Sequence, residues 1–198
     1  MVMPANNRKA IVHYWGGRYP GRIGHLYGPG GFGSAYPWLP YALDNGAFPA
    51  FTNGREWERG PFLSLLAAAS ASDQQPLWVA VPDVVADKDA TIAKWAEWSR
   101  ALRVSYGWPL AFCVQDGMVP SDVPVDADVV FVGGSTAWKW ETVPMWASAF
   151  PRVHVGRVNS PRRLWELEAL GVESCDGTGW FRGDDAQTSG LAAFMERA

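Results

Sequence analysis

Six apolar runs in the 198-residue chain each end in residue types that carry chemistry. Pro40-Tyr41-Ala42-Leu43 runs into Asp44-Asn45-Gly46, and Leu77-Trp78-Val79-Ala80-Val81 into Pro82-Asp83. Leu110-Ala111-Phe112-Cys113-Val114 stops at Gln115-Asp116-Gly117, and Asp128-Val129-Val130-Phe131-Val132 at Gly133-Gly134-Ser135. Arg152-Val153-His154-Val155 precedes Gly156-Arg157-Val158-Asn159, and Val172-Glu173-Ser174-Cys175 precedes Asp176-Gly177-Thr178-Gly179. Any one of these endings is an ordinary turn former. Six in succession at the same end of the same kind of element point to a shared pocket. Carboxylates gathered there suit two chemistries. One carboxylate can attack an electrophilic sugar carbon while another handles protons, as in retaining glycosyl transfer. Alternatively, the carboxylates hold Mg²⁺ for phosphoryl chemistry. The sequence has no GxxxxGK[ST] phosphate loop and no HExxH zinc motif. His13, His25 and His154 are scattered, and His13 and His154 fall within apolar runs as packing or supporting residues.

The elements that must position these residues follow from the pattern. Most runs are continuous and rich in β-branched residues, as expected for strands covered on both faces. Ala10-Ile11-Val12-His13-Tyr14 reads as a further strand of the same kind. Between the runs lie helical segments. Asp87 to Tyr106 carries apolar residues at helical spacing and stops at Gly107. Ser160 to Leu170 has Ser160 as N-cap, Pro161 at the first helical position and Gly171 beyond its end. Weaker helices are predicted at Pro61–Ser70, Trp140–Phe150 and Leu191–Arg197. Strands alternating with helices form βα units around a parallel sheet. About seven units predict an α/β fold, a TIM-like (β/α)8 barrel, with an open doubly wound sheet as the alternative. The chain is short for a barrel, which typically needs about 250 residues. Trimmed helices and an incomplete eighth unit are therefore expected. In a barrel all the polar strand ends converge on one face. The Gly- and Pro-rich stretch 16–37 is expected to be a long rim loop over that face.

Composition bounds the reading. A length of 198 residues predicts a single domain spanning 1–198. Hydrophobic residues are 48% and charged residues 19%, which excludes intrinsic disorder. A net charge of −3 excludes a uniformly basic nucleic-acid surface but leaves room for a local basic rim. Cys113 and Cys175 lack CxxC spacing and read as reduced, buried thiols of a cytoplasmic protein. No stretch suits a membrane span or a secretion signal. The 12 Trp are either core filler or, at Trp15, Trp38, Trp138 and Trp180, a stacking rim.

In order and spacing, these motifs resemble the tRNA-guanine transglycosylases and their relatives, which insert 7-deazaguanines into nucleic acid, as in queuosine formation. Leu43-Asp44-Asn45-Gly46-Ala47-Phe48 is similar to the family's D-S-G-G-F element, Val81-Pro82-Asp83 to its base-recognising Asp segment, and Val114-Gln115-Asp116-Gly117 to its V-Q-G-G. Val132-Gly133-Gly134 resembles V-G-G, Val155 to Leu164 resembles G-x-G-T-P-x-x-L, and Glu173-Ser174-Cys175-Asp176 resembles the F-D-C-V region. The likeness covers residues 40 to 182. The family's zinc-binding cysteines and C-terminal extension have no counterpart, Asn159 stands in place of a Thr, and Gly177-Thr178-Gly179-Trp180 departs from V-x-P-T. The short length is closer to divergent relatives, phage-borne or linked to DNA modification.

The resemblance implies a cofactor-free base exchange. Asp176 would be the nucleophile and Asp44 the general acid/base. Asp83, Gln115, Gly133 and Gly134 would hold the purine, with Asn45, Gly46, His154 and Arg157 also at the substrate. Arg182 falls where the family has a phosphate-side Arg; Arg162 and Arg163 are either further phosphate contacts or an ordinary solvated helix face. The implied partners are nucleic acid, tRNA or DNA, and a guanine or 7-deazaguanine base, with no metal and no membrane. The same residues are compatible with an N-glycosidase that uses water as acceptor, or with a noncatalytic nucleobase-binding protein.

Overall fold

The computed structural model describes residues 1–5, 9–33, 38–182 and 184–197. Eight parallel strands, β1 (Val2–Pro4), β2 (His25–Tyr27), β3 (Tyr41–Leu43), β4 (Val79–Ala80), β5 (Leu110–Val114), β6 (Val129–Val132), β7 (Val153–Val155) and β8 (Ser174–Gly177), pair in the order β1-β8-β7-β6-β5-β4-β3-β2. The helices are α1 (Lys9–Arg18), α2 (Ala47–Thr52), α3 (Arg59–Ser70), α4 (Lys88–Tyr106), α5 (Thr136–Ala149), α6 (Pro161–Ala169) and α7 (Asp185–Arg197). This is a compact TIM-like (β/α)8 barrel, nearly closed, with one unsealed seam between β1 and β2.

The seam has a chemical cause. At its lower end Val2 bridges Ile23, with Val2 N–H donating to Arg22 O (2.8 Å) and Gly24 N–H to Val2 O (2.9 Å). Successive N–H groups on a strand alternate between neighbours, and Ala5 N–H already donates to Gly177 O of β8. The next nitrogen due to face β2 is that of Pro4, which has no hydrogen to give. The ladder stops there, and the seam opens toward the C-terminal end of the sheet.

Two apolar layers hold the barrel. Met3, Leu26, Ala42, Trp78, Ala80, Ala111, Cys113 and Val129 fill its interior, while Tyr41, Leu43, Phe112, Val114, Val130, Val132 and Val155 pack outward against the helices. The period of two along each strand sorts these sets. It also decides what stands above the interior plug. Asp44 follows Ala42 by two, Gln115 follows Cys113, Gly133 follows Phe131, and Asp176 follows Ser174.

Three expectations about the elements are corrected. Ala10–Tyr14 is helical, as part of α1. It is a short apolar run whose periodicity alone does not separate strand from helix, and burial at Val12 and Gly16, four apart, is the helical signature. His13 therefore lies on a helix, edge-on to Trp38 at 5.8 Å between ring centroids, rather than in a strand. The stretch 16–37 is no single loop: α1 runs to Arg18 and β2 occupies His25–Tyr27, each too short to outweigh the surrounding Gly and Pro in the pattern. Residues 34–37 of that stretch lie outside the described residues. The first strand of the barrel is Val2–Pro4, so eight strands are present rather than seven. Of the four Trp offered as a rim, Trp180 is fully buried and Trp15 packs on Tyr19 and Phe181, whereas Trp38 is exposed; none of them is among the residues that line the cavity described below.

The long helix forms as expected. The Asp87 carboxylate accepts Ala90 N–H at 3.0 Å as its N-cap, and Gly107 closes it at φ 67°. At α6, Pro161 takes the first turn, whereas the Ser160 side chain makes no capping bond.

Candidate active site

A cavity of about 530 Å³ opens at the C-terminal end of the strands, in the usual size range of small-molecule sites. Asp44, Asn45, Asp83, Gln115, Gly133, Gly134, Arg157, Asn159 and Asp176 border it, with Cys113 and Phe131 at its base. Ala5, Tyr27 and Gly28 line it along the open seam. Beneath lies an aromatic floor: the Trp78 ring meets His154 at 4.7 Å and Phe131 at 5.8 Å, and Phe131 meets His154 at 4.6 Å.

On the β3–β5 side, carboxyl groups crowd together. Asp44 N–H donates to Tyr27 O (2.8 Å), which fixes the residue at the end of β3. Burial, then the Asp176 and Asp83 charges, push the Asp44 carboxyl up to about 7, against the pull of the Asn45 and Gly46 N–H groups. Asp83 sits in a clamp. Asn45 Nδ2 donates to its Oδ1 at 2.8 Å and Gln115 Nε2 to its Oδ2 at 2.7 Å. Burial raises Asp83 to about 6, and its donors from Asn45, Cys113 and Gln115 limit the rise. The clamp is itself anchored. Asn45 Nδ2 also donates to Val81 O (2.9 Å), its Oδ1 accepts Ala47 N–H (2.7 Å), and Gln115 Oε1 accepts Ala86 N–H (3.1 Å). Ala86 adopts φ 64° to make that contact. Gln115 thus works mainly as a brace for Asp83, one amide N–H being its remaining donor.

The β7–β8 side surrounds its carboxylate with donors. Asp176 is 6% exposed, and its Oδ1 lies 3.0 Å from His154 Nε2 and 3.3 Å from Arg157 N–H. His154 is fully buried and bonded at Nδ1 to Ser174 Oγ (2.8 Å), so it supports Asp176 from below instead of lining the cavity. Arg157 stands at φ 60°, a left-handed conformation that costs a non-glycine residue about 1–2 kcal/mol. Its guanidinium donates to the carbonyls of Gly133 and Gly134 and stacks on Phe48 at 4.4 Å. Phe48 comes from the β3 side, four strands away around the ring, so this contact spans the cavity mouth. Gly134 must be glycine: at φ 63° an added Cβ would stand 2.5 Å from Asp116 Oδ1 and from the Trp138 ring.

The remaining expected residues lie elsewhere. Gly46 borders a smaller hollow of about 250 Å³ that adjoins the cavity at Asp44. Arg162 and Arg163 both pair with Glu166 on the outer face of α6, and Arg163 lies 4.1 Å from the Trp140 ring centroid. Arg182 is exposed in the loop after β8, outside the cavity lining. Among the described residues no group of three or more His, Cys, Asp or Glu side chains is placed to hold a metal ion, and no helix is long and apolar enough to cross a membrane.

Sequence reasoning missed Lys139 of α5, which is 1% exposed and donates to Gly156 O. The signal was present: Lys139, Val143 and Trp146 share one buried helical stripe, and a lysine in such a stripe is out of place.

Compared with known proteins, the chain matches no protein-family model, and no curated protein is significantly similar to it.

Proposed function

We propose that the chain is a pentosyltransferase that exchanges guanine in tRNA or DNA for a 7-deazaguanine through a covalent glycosyl-enzyme. The observation that carries this reading is the shared cavity wall. Asp44 and Asp176 border one hollow, close enough that the charge of Asp176 raises Asp44, yet their surroundings differ in kind. The motif order of the sequence supplies the choice of a purine nucleotide.

The reaction balances in two displacements. In the first, an Asp176 oxygen bonds to C1′ as the C1′–N9 bond breaks, and the Asp44 carboxylic acid gives its proton to the departing base. In the second, N9 of the incoming base bonds to C1′, the Asp176–C1′ ester bond breaks, and Asp44 takes the N9 proton. Two inversions give net retention. A carboxyl near 7 serves both directions, because each protonation state is well populated at neutral pH. Asp83, held by Asn45 and Gln115, would accept hydrogen bonds from the base edge. An analogue that leaves this buried carboxylate unpaired would be rejected strongly. A base within a polymer must first leave its stack to reach the cavity.

Incubation with radiolabelled guanine and either tRNA or duplex DNA tests this directly. Label in polymer, lost in Asp176→Asn, supports base exchange. Release of free base without incorporation identifies an N-glycosidase instead. Neither event, with tight binding of free base, identifies a binding protein.

A further inference from the structure

Lys139 is a charge where the packing calls for none. It lies on the buried stripe of α5 with Val143 and Trp146, its Nζ 5.3 Å from the Trp140 ring centroid. An apolar side chain of similar volume would fill that place at no desolvation cost. What distinguishes the site is the acceptor. Lys139 Nζ donates to Gly156 O, and the peptide group to which that oxygen belongs also contains Arg157 N–H, which donates to Asp176 Oδ1 at 3.3 Å. The two hydrogen bonds lie on opposite ends of one amide. An ammonium on the carbonyl polarises that amide and makes its N–H a stronger donor. Two backbone features aim the relay. Arg157 is left-handed at φ 60°, and Gly156 leaves room, since an added Cβ would meet Phe131 at 2.7 Å and Asp176 Oδ1 at 3.3 Å.

We propose that Lys139 is a positioning residue for Asp176, acting through the Gly156–Arg157 peptide group, so that an ammonium buried behind the barrel wall orients and steadies a carboxylate on the cavity side. In the base-exchange reading this carboxylate is the nucleophile of the first step and the leaving group of the second, and the catalytic consequence of the relay rests on that reading. The relay itself does not.

The groups facing Lys139 come from three further elements: Arg157 after β7, Arg163 on α6, and Cys175 and Asp176 on β8. Burial, then the Arg157 charge, lower the lysine to about 8, while Asp176 pulls it back up. This makes the relay observable without any substrate. In the full-length protein, the Gly156 carbonyl ¹³C resonance should titrate with a midpoint near 8. Asp176→Asn should move that midpoint down, because the carboxylate that favours the ammonium is gone. Lys139→Met should abolish the titration and, if base exchange is present, lower kcat roughly tenfold, about the worth of one hydrogen bond, with KM for the base unchanged. Lys139→Gln, which keeps a neutral donor, should recover part of that rate. If Lys139→Met does not fold, the wild-type and Asp176→Asn titrations decide alone. A Gly156 carbonyl that is pH-independent between 6 and 10, or that titrates identically in Asp176→Asn, overturns the relay. A relay confirmed in a protein without base exchange would leave Lys139 in this role and remove the proposed activity.

Discussion

The two halves of the cavity wall treat the same residue type in opposite ways. On the β3–β5 side Asp44 and Asp83 are buried among neutral amides, and burial, joined at Asp44 by the Asp176 and Asp83 charges, raises the two carboxyls to about 7 and about 6. On the β7–β8 side Asp176 is met by a histidine, a backbone N–H beside an arginine, and a buried lysine one peptide away. Burial without a cation nearby makes a group that holds a proton near neutrality; donors converging on one oxygen make a group fixed in orientation. In the proposed base exchange, environment rather than residue type would divide the labour between Asp44 as acid/base and Asp176 as nucleophile.

The largest effect expected from breaking this contrast is at Asp176. Asp176→Asn should lower base exchange by roughly 10⁴-fold or more and eliminate the trapped adduct, while leaving the circular dichroism spectrum unchanged. An amide keeps the shape and the contact with His154 but cannot form the ester.

Asp44→Asn comes next, with a loss of roughly 10²–10⁴-fold in rate. The two steps of the proposed reaction would need opposite forms of Asp44, so the wild-type rate should peak near pH 7 and fall on either side. In the variant that peak should flatten. Stability should respond in the opposite sense. A carboxyl raised in the folded state supports folding below its unfolded value near 4, and that support disappears as pH rises toward about 7. Asp44→Asn should therefore leave stability unchanged at pH 4 and increase it at pH 8. The gain should be on the order of 2 kcal/mol, kept modest by solvent in the open cavity. Chemical denaturation at the two pH values measures it.

Loosening the clamp perturbs the β3–β5 side at Asp83 instead of Asp44. Asn45→Leu removes a donor to Asp83 and one to Val81 O, so the Asp83 carboxyl should rise above about 6 and KM for the base should increase by roughly tenfold. Base-affinity measurements across pH would show the acidic limb moving upward.

The barrel and most of the cavity were legible in the sequence because strand parity and strand-end chemistry are both local. Asp44, Asp83, Gln115, Gly133, Arg157 and Asp176 are found at the ends of strands, where the apolar runs placed them, and all six border one cavity. What escaped depended on partners distant in the chain. β2 has only three residues, flanked by glycines, and is a strand because β3 and the Val2 bridge hold it. α1 looked extended because its short apolar run hides a helical period. Lys139 makes sense only once β7 lies beside α5. His154 was expected at the substrate and stands beneath Asp176, a difference of one level in the barrel that no spacing rule shows.

The smallest effect is expected on the outer face of α6. Arg162 is exposed and paired with Glu166, and such a pair is worth about 0.5 kcal/mol or less. Arg162→Ala should change affinity for free base by less than about twofold, while any loss with polymeric substrate would reveal a phosphate contact.

The division of roles is tested most directly by locating the covalent bond. The protein is incubated with its nucleic-acid substrate without free base, denatured, digested, and the nucleotide-bearing peptide identified by mass spectrometry. A glycosyl ester on Asp176 is expected in the wild type, with the same site, formed more slowly, in Asp44→Asn. An ester on Asp44, or base exchange that proceeds with Asp176 unmodified, would contradict that division of roles.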